Sequence, residues 1–187
     1  MTPDQLVQRL VEMGIRQKGD PILTTETTPF DLPRERTEAE ALRDQLLGYI
    51  PRLRSIYRFS KGLGLAAPQI GSACSMAIVS PAADAETLLL TNPVVLSQSP
   101  DSDDQYEGCL SFFAVRGRVR RPLEIHLQLT TFDGDTRIRP LEAGMARLAL
   151  HEVDHLYGVL YSDRLSVDTA LLPLDEYRGG DVPWSRV

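Results

Sequence analysis

Leu150-His151-Glu152-Val153-Asp154-His155 is the stretch that decides how this chain is read. It is an H-E-x-x-H motif within the run Glu142 to Tyr157, where Met145, Leu148, Ala149 and Leu156 recur at helical spacing. Residues four apart share one face of a helix, so His151 and His155 stack one turn apart with both rings aimed at one point. That geometry suits a metal ion. Glu152 is rotated by about 100 degrees from His151, which places its carboxylate beside an ion, where it can take a proton from water. Two histidines on an apolar helix are equally at home in a packed core. The motif also supplies only two ligands, so a third must come from elsewhere in the chain.

The bounds on the search are simple. With 187 residues, the chain fits one domain, 1–187, with residues 1–14 as an N-terminal helical extension and 175–187 as an irregular tail. A net charge of −6 argues against an extended nucleic-acid-binding face. Only Cys74 and Cys109 occur, so a disulfide scaffold is not expected and a reducing compartment is the default. Met1 to Asp20 carries Asp4, Glu12 and Asp20 and no long apolar core, so neither a signal nor a transit peptide is expected. No apolar run reaches the roughly 20 residues of a membrane span. A cytoplasmic monomer without a membrane partner is the expectation.

Along the chain, Thr2-Pro3-Asp4 opens a helix with Leu6, Val7, Leu10 and Val11 on one face, and Gly14 ends it. Ile15 to Pro33, punctuated by Gly19, Pro21, Pro29 and Pro33, is expected to be free of helix. Thr37 with Glu40 has the form of a capping box, and Pro51 should kink or break the helix that follows, with a second helical piece from about Arg52 to Phe59. Lys61 to Gly71 is rich in glycine and alanine, which bares the backbone to close approach. Cys74 to Ser80 and Glu86 to Thr91 read as strands around a turn at Pro81 to Asp84. Ser97 to Asp104 reads as a solvated acidic loop, and Val115 to Arg121 as a strand whose four arginines form a solvated face. Leu123 to Thr130 alternates apolar and polar, with His126 on the polar side, and Asp133-Gly134 signals a hairpin to Thr136–Leu141. Gly158 should end the H-E-x-x-H helix, and Arg178 to Pro183 is turn-rich. The expected fold class is α+β, with small mixed or antiparallel sheets packed around the central helix that carries H-E-x-x-H.

Alternation already accounts for His126, so the third ligand is a carboxylate or a cysteine. Cys74, in an apolar strand, reads as a small buried hydrophobe. Cys109 follows a loop, where a thiolate can reach a metal. One thiolate and two imidazoles leave a tetrahedral position for water, the arrangement of catalytic rather than structural sites.

Three motifs in order resemble the peptide deformylases: Gly62-Leu63-Gly64-Leu65-Ala66-Ala67-Pro68-Gln69, then Glu107-Gly108-Cys109-Leu110-Ser111, then His151-Glu152-Val153-Asp154-His155. Gly19-Asp20-Pro21-Ile22-Leu23 is similar to the family's entry segment, so the resemblance runs from Gly19 to Leu165. It implies removal of the formyl group from the formyl-Met N-termini of newly made polypeptides, with release of formate. Carried over by position, it implies that Cys109, His151 and His155 hold one divalent metal ion, Fe²⁺ in the cell, with Zn²⁺ or Ni²⁺ able to occupy the site. Glu152 would be the general acid and base. Gln69, through its side-chain amide, and Leu110, through its backbone N–H, would receive the oxyanion. Leu63 and Gly64 would pair with the peptide, and Arg116 would border the methionine pocket. Leu150 stands where many members have glutamine, and Phe113 where many have proline. The lysine-rich C-terminal helix that docks some members on the ribosome has no counterpart in this sequence, so ribosome docking is not implied. A metallopeptidase cutting internal bonds and a non-catalytic binder of formylated N-termini are the alternatives.

Overall fold

The computed structural model describes residues 1–81, 86–167 and 169–177. Three helices and nine strands follow in the order α1 (Pro3–Glu12), α2 (Arg36–Ile56), β1 (Leu63–Ala66), β2 (Met76–Ser80), β3 (Leu88–Thr91), β4 (Val94–Gln98), β5 (Ser102–Cys109), β6 (Phe112–Pro122), β7 (Glu124–Thr130), β8 (Thr136–Glu142), α3 (Ala143–Leu156) and β9 (Leu172–Pro173). Most of the expected turn at Pro81 to Asp84, and the tail from Arg178 onward, lie outside the described residues.

The strands form three antiparallel sheets of three, ordered β1-β2-β3, β4-β7-β8 and β5-β6-β9. The fold is α+β. Strand β2 explains how the layers stack, because all five of its residues are buried. Met76 and Ile78 face a core shared with α1 and α2, through Leu6, Leu10, Leu46 and Leu53. Ala77 and Val79 face a second core, shared with α3 and β7 through Ala146, Ala149, Val153, Ile125 and Leu127. A strand covered on both sides cannot alternate, hence its continuous run of apolar and small residues.

Helix α1 begins on a capping box formed by Thr2 and Gln5, and it packs on the rest of the chain through Leu6 and Leu10, while Val11 is exposed. Ile15 to Pro33 is not free of helix, since Asp20 caps a short 3-10 turn over Pro21–Thr24. Helix α2 departs further from expectation. It starts at Arg36 without a side-chain cap and runs unbroken through Pro51 to Ile56. An interior proline costs roughly 3 kcal/mol, but Pro51 lies on the exposed side and Leu53 just beyond it is fully buried. Burying a leucine returns roughly 1.5–3 kcal/mol, which offsets most of the loss.

The acidic segment Ser97 to Asp104 is a loop only at 99–101. Its two ends are strands: β4 pairs with β7, and β5 sets Asp103 opposite Arg121 and Asp104 opposite Arg120. Pairing with a cationic strand is what admits this much negative charge to a sheet. The β7–β8 hairpin at Asp133-Gly134 forms as its residues dictate.

Helix α3 sits at the centre. Every residue from Ala146 to Leu156 is buried, including Arg147, His151, Glu152, Asp154 and His155. The single apolar stripe seen in the sequence is therefore half of the surroundings of this helix, the other half being polar and fully enclosed. Gly158 ends it at a φ of +70°, where a side chain would stand 2.7 Å from the Thr24 carbonyl carbon.

Candidate metal centre

Two elements bring the ligand atoms together. Helix α3 presents His151 and His155 with ring centroids 5.2 Å apart, and the end of β5 delivers Cys109. The Cys109 Sγ is 3.1 Å from His155 Nε2, and one ligand atom from each of the three residues lies within 4.8 Å of the others, all buried. His151 uses Nδ1 to reach Glu107 Oε2 at 3.0 Å, which leaves its Nε2 for the centre. Burial pushes the Cys109 thiol up, but the neighbouring His155 and His151 rings reverse this and hold it well below the usual thiol range. A thiolate with two imidazoles, closely spaced and shielded from water, fits a divalent cation, which takes the place of the protons these groups otherwise share. Cys74 is excluded from the site: it is half-buried just ahead of β2 and packs against the core beside α1 and α2.

Glu107 is the support that the sequence motifs concealed. Its Oε1 accepts from Arg121 Nε at 3.0 Å and from Arg147 Nη1 at 2.7 Å, while its Oε2 accepts from Arg121 Nη2 and His151 Nδ1, each at 3.0 Å. Burial pushes the Glu107 carboxyl up, but His151 and Arg121 outweigh it and hold the group well below the usual carboxylate range. Arg121 also donates to Asp154 Oδ2 at 2.6 Å, and Arg164 reaches the same oxygen at 2.7 Å. The four arginines of Val115 to Arg121 are thus not one solvated face. Arg118 and Arg120 are exposed, Arg116 is half-buried, and Arg121 is 4% exposed. The signal was available, because period-2 alternation puts Arg121 on the same side of β6 as the apolar Val119.

The remaining site residues surround a cavity of about 490 Å³ that opens on the centre. Leu63, Gly64, Gln69, Leu110, Arg116 and Glu152 all line it. Gln69, 1% exposed, accepts from the Ala66 N–H through Oε1 and lies 3.2 Å from Ser111 Oγ and 3.4 Å from Cys109 Sγ through Nε2. The segment ahead of the first 3-10 turn ties this arrangement down: the Arg16 N–H donates to the Gln69 carbonyl, and Gln17 Nε2 to the Leu110 carbonyl at 3.3 Å. Arg116 donates twice to backbone carbonyls, of Phe113 and Val115, and lies over the Phe113 ring. Phe113 packs edge-on against Tyr57, so this departure from the family pattern forms cavity wall, whereas Leu150 is core between α3 and its neighbours.

Burial pushes the Glu152 carboxyl up to about 7, with Cys109 and Glu107 adding to the rise and His151 and His155 opposing it. Its Oε2 is buried without a hydrogen-bond partner among the described residues. Its other oxygen explains Gly64, where an added Cβ would stand 2.0 Å from Glu152 Oε1. Gly64→Ala is therefore expected to displace this carboxylate and lower turnover by about 100-fold, with ion content unchanged. Wild-type rates in that variant, measured with the ion bound, would mean the carboxylate works from another position.

A buried thiolate and two imidazoles, a carboxyl poised near neutrality and a cavity that opens on them define a metal-dependent hydrolase. A family model described as "Polypeptide deformylase" matches residues 13–170, and the chain belongs to that family. It is 34% identical over 155 residues to a peptide deformylase of Dictyoglomus thermophilum, covering 83% of this chain and 94% of the relative. It is 36% identical over 140 residues to peptide deformylase 1 of Prochlorococcus marinus, with 70% and 72% covered. Among solved structures, the peptide deformylase of Thermotoga maritima superposes with a TM-score of 0.68 at 30% identity, over 81% of this chain and 96% of that one.

Proposed function

We propose that this chain hydrolyses the formyl amide at the N-terminus of formylmethionyl polypeptides, releasing formate and a free amine. The observation that carries the reading is the convergence of Cys109, His151 and His155 at the end of a cavity that also holds Glu152 and Gln69. Cys109, His151 and His155 would hold a divalent ion, which would supply Lewis acidity at this end of the cavity, enough to bring the pKa of water toward about 7. Fe²⁺ is our assignment for the cell, with Zn²⁺ or Ni²⁺ compatible with the same donors.

The chain's own groups do the rest. Strand β1 pairs with β2 along one edge, and its other edge, at Leu63 and Gly64, is where an extended peptide adds as a further strand. The apolar wall at Tyr57, Phe113 and Leu148 receives the methionine side chain, with Arg116 at its border. Glu152 accepts a proton from the attacking water, oxygen adds to the formyl carbon, and the C–N bond breaks as Glu152 passes that proton to the departing nitrogen. Gln69 Nε2 and the Leu110 N–H donate to the oxygen that gains charge between these steps. The substrate is made during translation, so the cytoplasm is the assigned place of action. Residues 1–187 are read as one domain, in which α1 closes part of the cavity wall through Leu6.

The test is formate release from a formyl-Met peptide by protein purified without oxygen and loaded with Fe²⁺. Full ion loading without turnover would overturn the proposal, and cleavage of unformylated peptides would replace it with an endopeptidase. Gln69→Ala should lower turnover by about 100- to 1,000-fold with a smaller change in KM. A drop in ion content in its place would mean that Gln69 acts through Cys109.

A further inference from the structure

Arg147 lies outside all three motifs, and its guanidinium is the most heavily engaged buried cation on α3. At 2% exposure, it donates from Nη1 to Glu107 Oε1 at 2.7 Å and to the Val119 carbonyl at 2.9 Å. From Nη2 it donates to the Asp103 carbonyl at 2.9 Å and to Asp103 Oδ1 at 2.7 Å. One side chain therefore joins α3 to β5 at two residues and to β6 at a third. It also stands one helical turn before His151, on the same face.

Resting on the metal-centre reading, we propose that Arg147 is a positioning residue for the metal, acting through Glu107 on His151. A carboxylate bound only by the fork of Arg121 can swing with that fork. The bond from Arg147 to Oε1, coming from a different element, removes this freedom. Oε1 then carries two arginine donors, and Oε2 faces His151 Nδ1 at 3.0 Å. A carboxylate fixed in that place keeps the His151 proton on Nδ1 and Nε2 open to the ion, and sets the plane of the ring. The face of the same ring is stacked on the buried Tyr161, at 5.9 Å between centroids. His151 is thus held both at its edge and on its face, whereas His155 Nδ1 has no hydrogen-bond partner among the described residues, so the burden of orienting the pair falls on His151.

The experiment measures Zn²⁺ and Co²⁺ dissociation constants by competition with a chelator, and the Co²⁺ absorption spectrum, for wild type, Arg147→Met, Arg147→Lys and Arg164→Met. Arg147→Met should weaken binding by about 10- to 100-fold and shift the Co²⁺ bands, and Arg147→Lys, which keeps one donor for Glu107, should fall between it and wild type. Arg164→Met, which removes a cation from Asp154 at the far side of the network, should leave both readouts unchanged. Wild-type ion affinity and spectrum in Arg147→Met, with only thermal stability lowered, would overturn the proposal. Should Arg147→Met fail to fold, wild-type affinity in Arg147→Lys with its spectrum unaltered would do the same. A wild-type chain that binds no ion, or binds it equally after Cys109→Ala, would overturn the metal-centre reading itself.

Discussion

Glu152→Gln is expected to lower formate release by about 10²- to 10⁴-fold while the bound ion stays at one per chain. The two halves of this result come from different atoms. The residues that would hold the ion, Cys109, His151 and His155, are not touched by the substitution, and glutamine preserves the volume of the side chain against Gly64. What glutamine lacks is a titrating oxygen. The carboxyl it replaces is buried to the point that its pKa rises to about 7, the range in which one group can both take a proton from water and return it to an amine. Steady-state rates with elemental analysis of the same samples decide the matter. A loss of the ion along with activity would make Glu152 a structural support of the centre, and an unchanged rate would remove it from the chemistry.

Arg121→Met should destabilise the ion-free protein by about 3 kcal/mol, at the lower end of the range of about 3–5 kcal/mol for breaking a buried ion pair. Arg121 is the shared partner of two carboxylates, Glu107 and Asp154, both nearly inaccessible to water. Methionine leaves both charges enclosed. The loss stays at the lower end because Arg147 still serves Glu107 and Arg164 still serves Asp154. Urea denaturation near neutral pH measures it. Arg36→Met is the control: the Arg36–Asp133 pair at 2.5 Å is geometrically as close, but both side chains are largely exposed, and water and salt screen them. Equal shifts in the two midpoints would show that burial of the Arg121 network contributes nothing.

Some of this molecule is written locally. The helical spacing of His151 and His155, the alternation of β7, the Asp133-Gly134 hairpin and the glycine at the end of α3 each depend on residues within a few positions of one another, and each forms as read. The likeness of three short motifs to a known family extended that reach to Cys109 and Gln69, because a motif records the outcome of folding that composition alone does not. Local rules failed where a distant partner changed the balance. Pro51 stays inside α2 because Leu53 is buried against residues far away in the chain. The two ends of Ser97 to Asp104 become sheet because β6 and β7 supply their pairing.

The order of the motifs and the identity of the candidate groups, a cysteine, two histidines and a glutamate, were thus legible in sequence, since each lies in a short motif whose residue types can be read without the fold. The tertiary structure alone decided that Glu107, Arg121 and Arg147, far apart in the chain, meet at the outer edge of His151. An arginine on a strand or helix looks the same in sequence whether it faces water or a buried carboxylate. Only the enclosure of α3 between the sheets determines which of the two it is, because the energy of a charge depends on what surrounds it and not on its neighbours in the chain.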